Sequence, residues 1–289
     1  MQKKWIVVVL ILLALRPGSG AEVTRTPRTI VATFYPMYIA LMNIAGGVDG
    51  VRVVSLADSQ AGCLHDYQLT TRDMAVLSKA EALVVNGAGL ESFLECRALN
   101  RPGLKIIDAS AGIDLMVAGG VTNAHVWVSP TLHIRQVHRM AEALAGWDPV
   151  HAAQYGENAA AYIRRLERLK GEMDSTLRSV RQHKIITFHE AFPYFAYEFH
   201  LTIAGVIERE PGSSPSAAEM AALIQLIRTS GVKTLFVEPQ YPAKVATSIA
   251  RETGAEIFTL DPVVSGPVST NAYITLMERN LAELKRALQ

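Results

Sequence analysis

The 289-residue chain has only two cysteines and no excess charge of either sign, with 28 Lys and Arg against 27 Asp and Glu. Two cysteines are too few for a fold stapled by disulfides. The balanced charge, with no basic stripe, argues against nucleic acid as a partner. The longest apolar run, residues 5–15, is too short for a comfortable membrane span of about 20 residues. A metalloprotease helix motif, a GxSxG turn and a phosphate loop are all missing, which removes the usual signatures of hydrolytic and phosphoryl-transfer enzymes.

What is present at the N-terminus reads as an address. Lys3 and Lys4 precede the apolar run, and Gly18, Ser19, Gly20 and Ala21 follow it, the arrangement of a secretory signal cleaved near residue 21. An uncleaved anchor is the alternative, and the lack of a cysteine near the cleavage region argues against a lipid anchor. The expectation is a soluble exported protein, periplasmic or secreted. Losing Lys3, Lys4 and Arg16 would leave 25 basic against 27 acidic residues, a net of about −2. The remaining 268 residues or so suit two lobes better than one. In an oxidising compartment Cys63 and Cys96 would form a disulfide or remain as two buried thiols.

The hydropathy pattern is organised around residues 148–182, which read as one long helix. Asp148 is the expected N-cap and Pro149 the first helical residue. Tyr155, Ala159, Tyr162, Leu166, Leu169, Met173, Leu177 and Val180 form an apolar stripe at three- and four-residue steps. Before it, strands are expected over 29–34, 51–56, 82–86 and 105–108, with helices over 36–45, 71–79 and 90–99 and another opened by Pro130. After it the pattern restarts, with strands over 184–188, 201–207, 234–237 and 256–260. Helices over 191–199, 216–229, 243–253 and 271–288 alternate with them, and Ser216 and Glu219 make a capping box. Alternating strands and helices imply parallel sheets. The expected fold is α/β, two parallel-sheet lobes (residues 22–147 and 183–289) joined by one long backbone helix.

Ligands of open parallel sheets sit beyond the carboxyl ends of the strands. There the chain puts His65, His125, His189 and Asp261, two from each half. Three imidazoles and a carboxylate suit a borderline ion such as Zn²⁺ and disfavour Ca²⁺ or Mg²⁺. None of the four pairs with another at helical spacing, so spacing alone is a weak signal, and a hydrogen-bonded histidine at a strand end is the bland reading of each. Glu190 and Glu238 lie beside strand ends as candidate acceptors for a ligand imidazole. Cys63, two residues from His65, ranks below the four as a ligand. His133, His138, His151, His183 and His200 are expected to stay away from any metal, with His151 and His183 in solvent.

The segments His65-Asp66-Tyr67-Gln68-Leu69-Thr70, Asn86-Gly87-Ala88-Gly89-Leu90-Glu91 and His125-Val126-Trp127-Val128-Ser129-Pro130 are followed in order by His189-Glu190-Ala191-Phe192-Pro193-Tyr194-Phe195, Val237-Glu238-Pro239-Gln240 and Leu260-Asp261-Pro262. Together they resemble the metal-binding (zinc or manganese) solute-binding proteins of ABC transporters, the group that includes zinc receptors and streptococcal surface adhesins. The resemblance covers essentially the whole mature chain. It implies two lobes on one rigid helix, a metal at their interface, and ligand roles for His65, His125, His189 and Asp261. In that family a glutamate in place of the third histidine usually goes with manganese, so His189 leans the reading to zinc. Two departures stand out: residues 112–123 lack the long histidine-rich loop of many zinc receptors, and Leu64 replaces a glutamate that some place before the first histidine.

The function expected is capture of a divalent transition metal, zinc first and Mn²⁺ second, and its delivery to an ABC permease and its ATPase. The chain is expected to be a monomer and not an enzyme. Affinity should fall as pH drops through about 6.5, because ligand histidines must be neutral. The rivals are a manganese or iron receptor, a zinc hydrolase using Glu190 as base, and a siderophore- or cobalamin-binding protein.

Overall fold

Short Val- and Ile-rich segments, apolar along their whole length, can only be buried on both faces, as in a parallel sheet covered by helices. A computed structural model of the chain, which describes residues 27–65, 67–94, 101–208 and 215–289, has two such sheets. The first half runs β1 (Arg28–Ala32), α1 (Tyr35–Ala45), β2 (Val51–Ser55), α2 (Thr71–Lys79), β3 (Ala82–Val85) and β4 (Lys105–Asp108). A small antiparallel hairpin follows, β5 (Val117–Ala118) and β6 (Val121–Thr122), then α3 (Pro130–Trp147) and α4 (Ala152–Leu177). The second half runs β7 (Lys184–Thr187), α5 (Pro193–Glu198), β8 (Thr202–Val206), α6 (Ala217–Ser230), β9 (Thr234–Val237), α7 (Lys244–Thr253), β10 (Glu256–Thr259) and α8 (Ala272–Leu288).

Both four-stranded sheets are parallel and share one order, second–first–third–fourth: β2-β1-β3-β4 and β8-β7-β9-β10. In each, the chain runs to one side of its first strand and then to the other, which opens a crevice between the first and third strands at their carboxyl ends. Local chemistry supports the framework. Thr70 and Asp73 close a capping box on α2, Ser216 and Glu219 one on α6, and the Ser129 hydroxyl accepts from the Leu132 amide at the start of α3. Gly87 is obligatory: its φ is 78°, and a Cβ there would fall 2.0 Å from Asp108 Oδ1.

The backbone helix is shorter than its apolar stripe. Residues 148–182 are not one helix: Pro149–His151 is a 3₁₀ turn, and the α-helix proper spans Ala152–Leu177, 26 residues, or about 39 Å. Asp148 does not cap it. Its carboxylate is instead buried against Arg28 (3.3 Å), the Tyr155 hydroxyl (2.9 Å) and His151 Nδ1 (2.7 Å), so His151 is half-buried rather than in solvent. All eight stripe residues are nevertheless buried, Val180 from just beyond the helix end. Helix α4 packs on α3, α1 and α8, and one apolar core runs through it from the first sheet into the second half.

Other differences are local. The helix expected over 90–99 is described only as a 3₁₀ turn, Ser92–Leu94, and residues 95–100, including Cys96, lie outside the described residues, as does the segment 1–21 read as a signal. The helix expected over 191–199 contracts to Pro193–Glu198, because the chain must turn tightly from β7 to reach it. Among the described residues no helix is long and apolar enough to cross a membrane.

Candidate metal centre

Three of the four residues at the strand exits converge. His65 lies in the loop after β2, His125 just before the 3₁₀ turn Val126–Val128 that leads into α3, and His189 directly after β7. The Nε2 atom of His125 is 3.4 Å from Nε2 of His65 and 3.2 Å from Nε2 of His189. A tetrahedral zinc with bonds of about 2.0–2.1 Å sets its ligand atoms about 3.3 Å apart. Each of these two spacings matches that edge, while the group whose ligand atoms all lie within 4.8 Å of one another among the described residues is Cys63, His65 and His125.

Each of the inner rings is held from behind. Asn123 Oδ1 accepts from the His125 amide (3.0 Å) and faces its Nδ1 (3.2 Å), which keeps that proton on Nδ1 and the Nε2 lone pair toward the cluster. Asn123 is itself tied across the cleft, its side-chain amide donating to the Glu190 carbonyl at 2.7 Å. The His189 Nδ1 contacts Glu238 Oε1, which also accepts from the His189 amide at 3.3 Å. Both imidazoles are buried, and burial together with the neighbouring rings of His189 and His65 pushes His125 well below the ordinary imidazole range. A ring that resists protonation is a ready metal donor.

Glu190 does not share Glu238's role. Its side chain is exposed and only its carbonyl is engaged, so of the two acidic residues expected behind the imidazoles, Glu238 alone takes one. Burial raises Glu238, with the His189 ring opposing the shift and Asp261 adding to it. Cys63, half-buried, brings its sulfur to 3.4 Å from His125 Nε2, so a thiol stands beside the cluster, closer than its low rank as a ligand implied. Cys96, which would either bridge to Cys63 or remain a thiol, is outside the described residues.

Asp261 is buried after β10, where its Oδ1 accepts from the Val263 amide (2.7 Å) and the Gln240 side chain (3.1 Å). Asn280 of α8 brackets its backbone with two bonds, at 2.8 and 2.7 Å. Burial raises its pKa. The loop is strained: Val263, β-branched, has φ of 60°, a conformation that costs about 1–3 kcal/mol. The Trp127 indole N–H donates to the Pro262 carbonyl at 2.7 Å, and the Tyr273 hydroxyl donates to the Trp127 carbonyl at 2.8 Å. Trp127 thus ties the His125 segment to the Asp261 loop, 135 residues away. Asn123 and Trp127 flank His125 in sequence, but nothing in their spacing announces either bond.

Beside the imidazoles opens a cavity of ≈ 740 Å³, lined on one side by the β5–β6 hairpin and on the other by α5 and β8, with Glu190 on its wall. The hairpin lies within the Gly- and Ala-rich stretch that the sequence pattern leaves as loop.

Two parallel α/β lobes on a shared helix, with imidazoles from both meeting at the strand exits, define a two-lobed solute-binding protein. The chain belongs to the family described as ZnuA, zinc-uptake complex component A periplasmic, whose model matches residues 30–287. It is 26% identical over 279 residues to the zinc-binding lipoprotein AdcA of Streptococcus pneumoniae, an overlap of 89% of this chain and 55% of AdcA, so the chain spans about half the length of that relative. It is also 26% identical over 318 residues to the high-affinity zinc uptake system protein ZnuA of Bacillus subtilis, covering 100% and 99% of the two chains. A crystal structure of a 138–173 deletion mutant of ZnuA with zinc bound superposes with a TM-score of 0.79 at 32% identity, over 91% of this chain and 98% of that one. The binding protein FpvC of Pseudomonas aeruginosa in complex with Mn²⁺ gives 0.82 at 30% identity, over 91% and 98%.

Proposed function

We propose that the protein is an exported receptor that binds a divalent transition metal, zinc, between its lobes and hands it to an ABC permease driven by an ATPase. The observation that carries the reading is the pair of imidazole spacings, 3.4 and 3.2 Å, at the edge length of a tetrahedral zinc. His65, His125 and His189 supply the imidazoles, Asp261 the carboxylate, and Glu238 and Asn123 hold the rings that face them. Residues 22–147 and 183–289 act as the lobes, and the zinc-uptake relatives support the permease and ATPase as partners. Binding and release suffice for this role. A hydrolase would need Glu190 to activate a metal-bound water, and its exposed carboxylate is not held toward the imidazoles by any bond. Near-balanced charge supports no nucleic-acid partner.

The Mn²⁺ complex of FpvC makes manganese the second candidate cargo. Calorimetric titration of chelator-stripped protein with Zn²⁺ and, separately, Mn²⁺ tests the reading. One tightly bound zinc, much weaker manganese and loss of zinc affinity in His189→Ala are expected, the loss exceeding the 10–100-fold or so that removing a mere ring-orienting partner costs. Equal or preferential manganese binding overturns the choice of metal. No binding of either ion overturns the site.

A further inference from the structure

The cavity beside the imidazoles is much larger than a bare ion requires. At ≈ 740 Å³ it compares with roughly 30 Å³ for a water molecule and falls among sites for organic molecules, about 300–1,000 Å³. Its deep end is formed by buried His125 and His189, and its rim by Val117, Val121 and Tyr197, which are 62%, 70% and 77% exposed. Most of the wall is apolar. Among the described lining residues Glu190 is the one charged side chain, so a polycarboxylate or phosphate would meet a carboxylate there and no described Lys or Arg to pair with. Asp261 does not line the cavity, so a chelator entering from this side does not compete with its carboxylate; its first donor takes the fifth position zinc accepts and its second displaces His65, the least buried of the three imidazoles.

We infer that this cavity receives a neutral, largely apolar organic chelator bound to the metal, so that the site accepts the ion as a mixed complex as well as alone. The inference rests on the metal-receptor reading above. The chelator's donor atoms would point to the imidazole cluster and its rings or aliphatic body would lie between the β5–β6 hairpin and α5. Removing that body from water, rather than charge pairing, would supply the affinity.

The test equilibrates zinc-loaded protein with 2,2′-bipyridine, which offers two neutral ring nitrogens, and separately with citrate, followed by gel filtration and absorbance. One bipyridine retained per bound zinc is expected, with none on metal-free protein and no citrate retained. Val117→Glu combined with Val121→Glu sets two carboxylates on the exposed rim. It is expected to weaken bipyridine retention by about tenfold or more, because a charge there must be desolvated against the ring, while zinc affinity is unchanged. Zinc bound without bipyridine, zinc stripped by bipyridine, citrate retained equally, or undiminished retention in the double variant each overturns the inference and leaves the zinc receptor standing. Failure to bind zinc before any chelator is added overturns both.

Discussion

At the scale of single residues, the site depends on groups that hold imidazoles rather than on the imidazoles alone. Glu238 is buried against His189 Nδ1, and its second oxygen, Oε2, has no hydrogen-bond partner. As acceptor for Nδ1–H, Glu238 fixes the ring's tautomer and orientation and leaves Nε2 as the donor atom. Glu238→Gln keeps the acceptor and loses the charge, so zinc affinity should fall by about 10-fold or more, read by competition with a fluorescent chelator. An unchanged affinity would assign Glu238 to the fold alone. His133, outside the cluster, carries a different consequence. It is fully buried, stacked on Tyr273 at 4.1 Å and near Tyr162 and Gln136, and burial lowers its pKa to about 4. Below about 6.5 the unfolded chain takes up a proton that the folded chain refuses until near 4, so stability is lost as pH falls through that window. Between pH 7 and 5 the loss from this residue is about 2 kcal/mol. Urea midpoints of metal-free protein at the two pH values should converge in His133→Gln by that amount relative to the parent chain.

At the scale of elements, the ends of helices connect the two halves. Glu198 of α5 accepts from the Thr131 hydroxyl (2.6 Å) and amide (3.2 Å) and from the Ser129 hydroxyl, so a carboxylate of the second half caps the N-terminus of α3. Such a cap is worth about 1–2 kcal/mol, helped by the helix dipole. Glu198→Ala should lower thermal stability by that order, and Glu198→Gln by less, because the amide oxygen still accepts. Equal melting of all three proteins would show that Ser129 alone suffices. The fate of α4 belongs to the same scale. Its stripe was legible from Tyr155 to Val180, but Asp148 had a better use than capping, because Arg28, Tyr155 and His151 surround it in the fold.

At the scale of the whole molecule, the lobes are not free to swing. Helix α4 packs on α1, α3 and α8, elements of both halves, and a single apolar core passes through it. Trp127 adds a buried bond across the cleft to Pro262, and the carbonyl of Leu288 at the end of α8 takes the amides of Arg181 and Gln182. Opening a wide hinge would expose this core at about 25 cal/mol per Å² of apolar surface. Small-angle scattering of the metal-free and zinc-loaded protein should therefore nearly coincide, with selectivity set by the imidazoles and by local loop movement. Curves that differ strongly would mean that the lobes close around the metal as rigid bodies.

Residue order alone carries the alternation of strands and helices, the buried stripe of α4, and the candidacy of His65, His125, His189 and Asp261. These follow from local periodicity and from the rule that parallel strands present ligands at their carboxyl ends. Packing adds that His125 Nε2 lies 3.4 Å from His65 Nε2 and 3.2 Å from His189 Nε2, that Glu238 rather than Glu190 takes an imidazole, and that Cys63 joins His65 and His125 in one compact group. It also decided that the β5–β6 hairpin, two residues per strand, walls a cavity over the site. The physical reason is sequence distance. The bonds that matter most span from 49 residues, His189 to Glu238, to 135, Trp127 to Pro262, and no local pattern records which distant partner packing will bring within 3 Å or so.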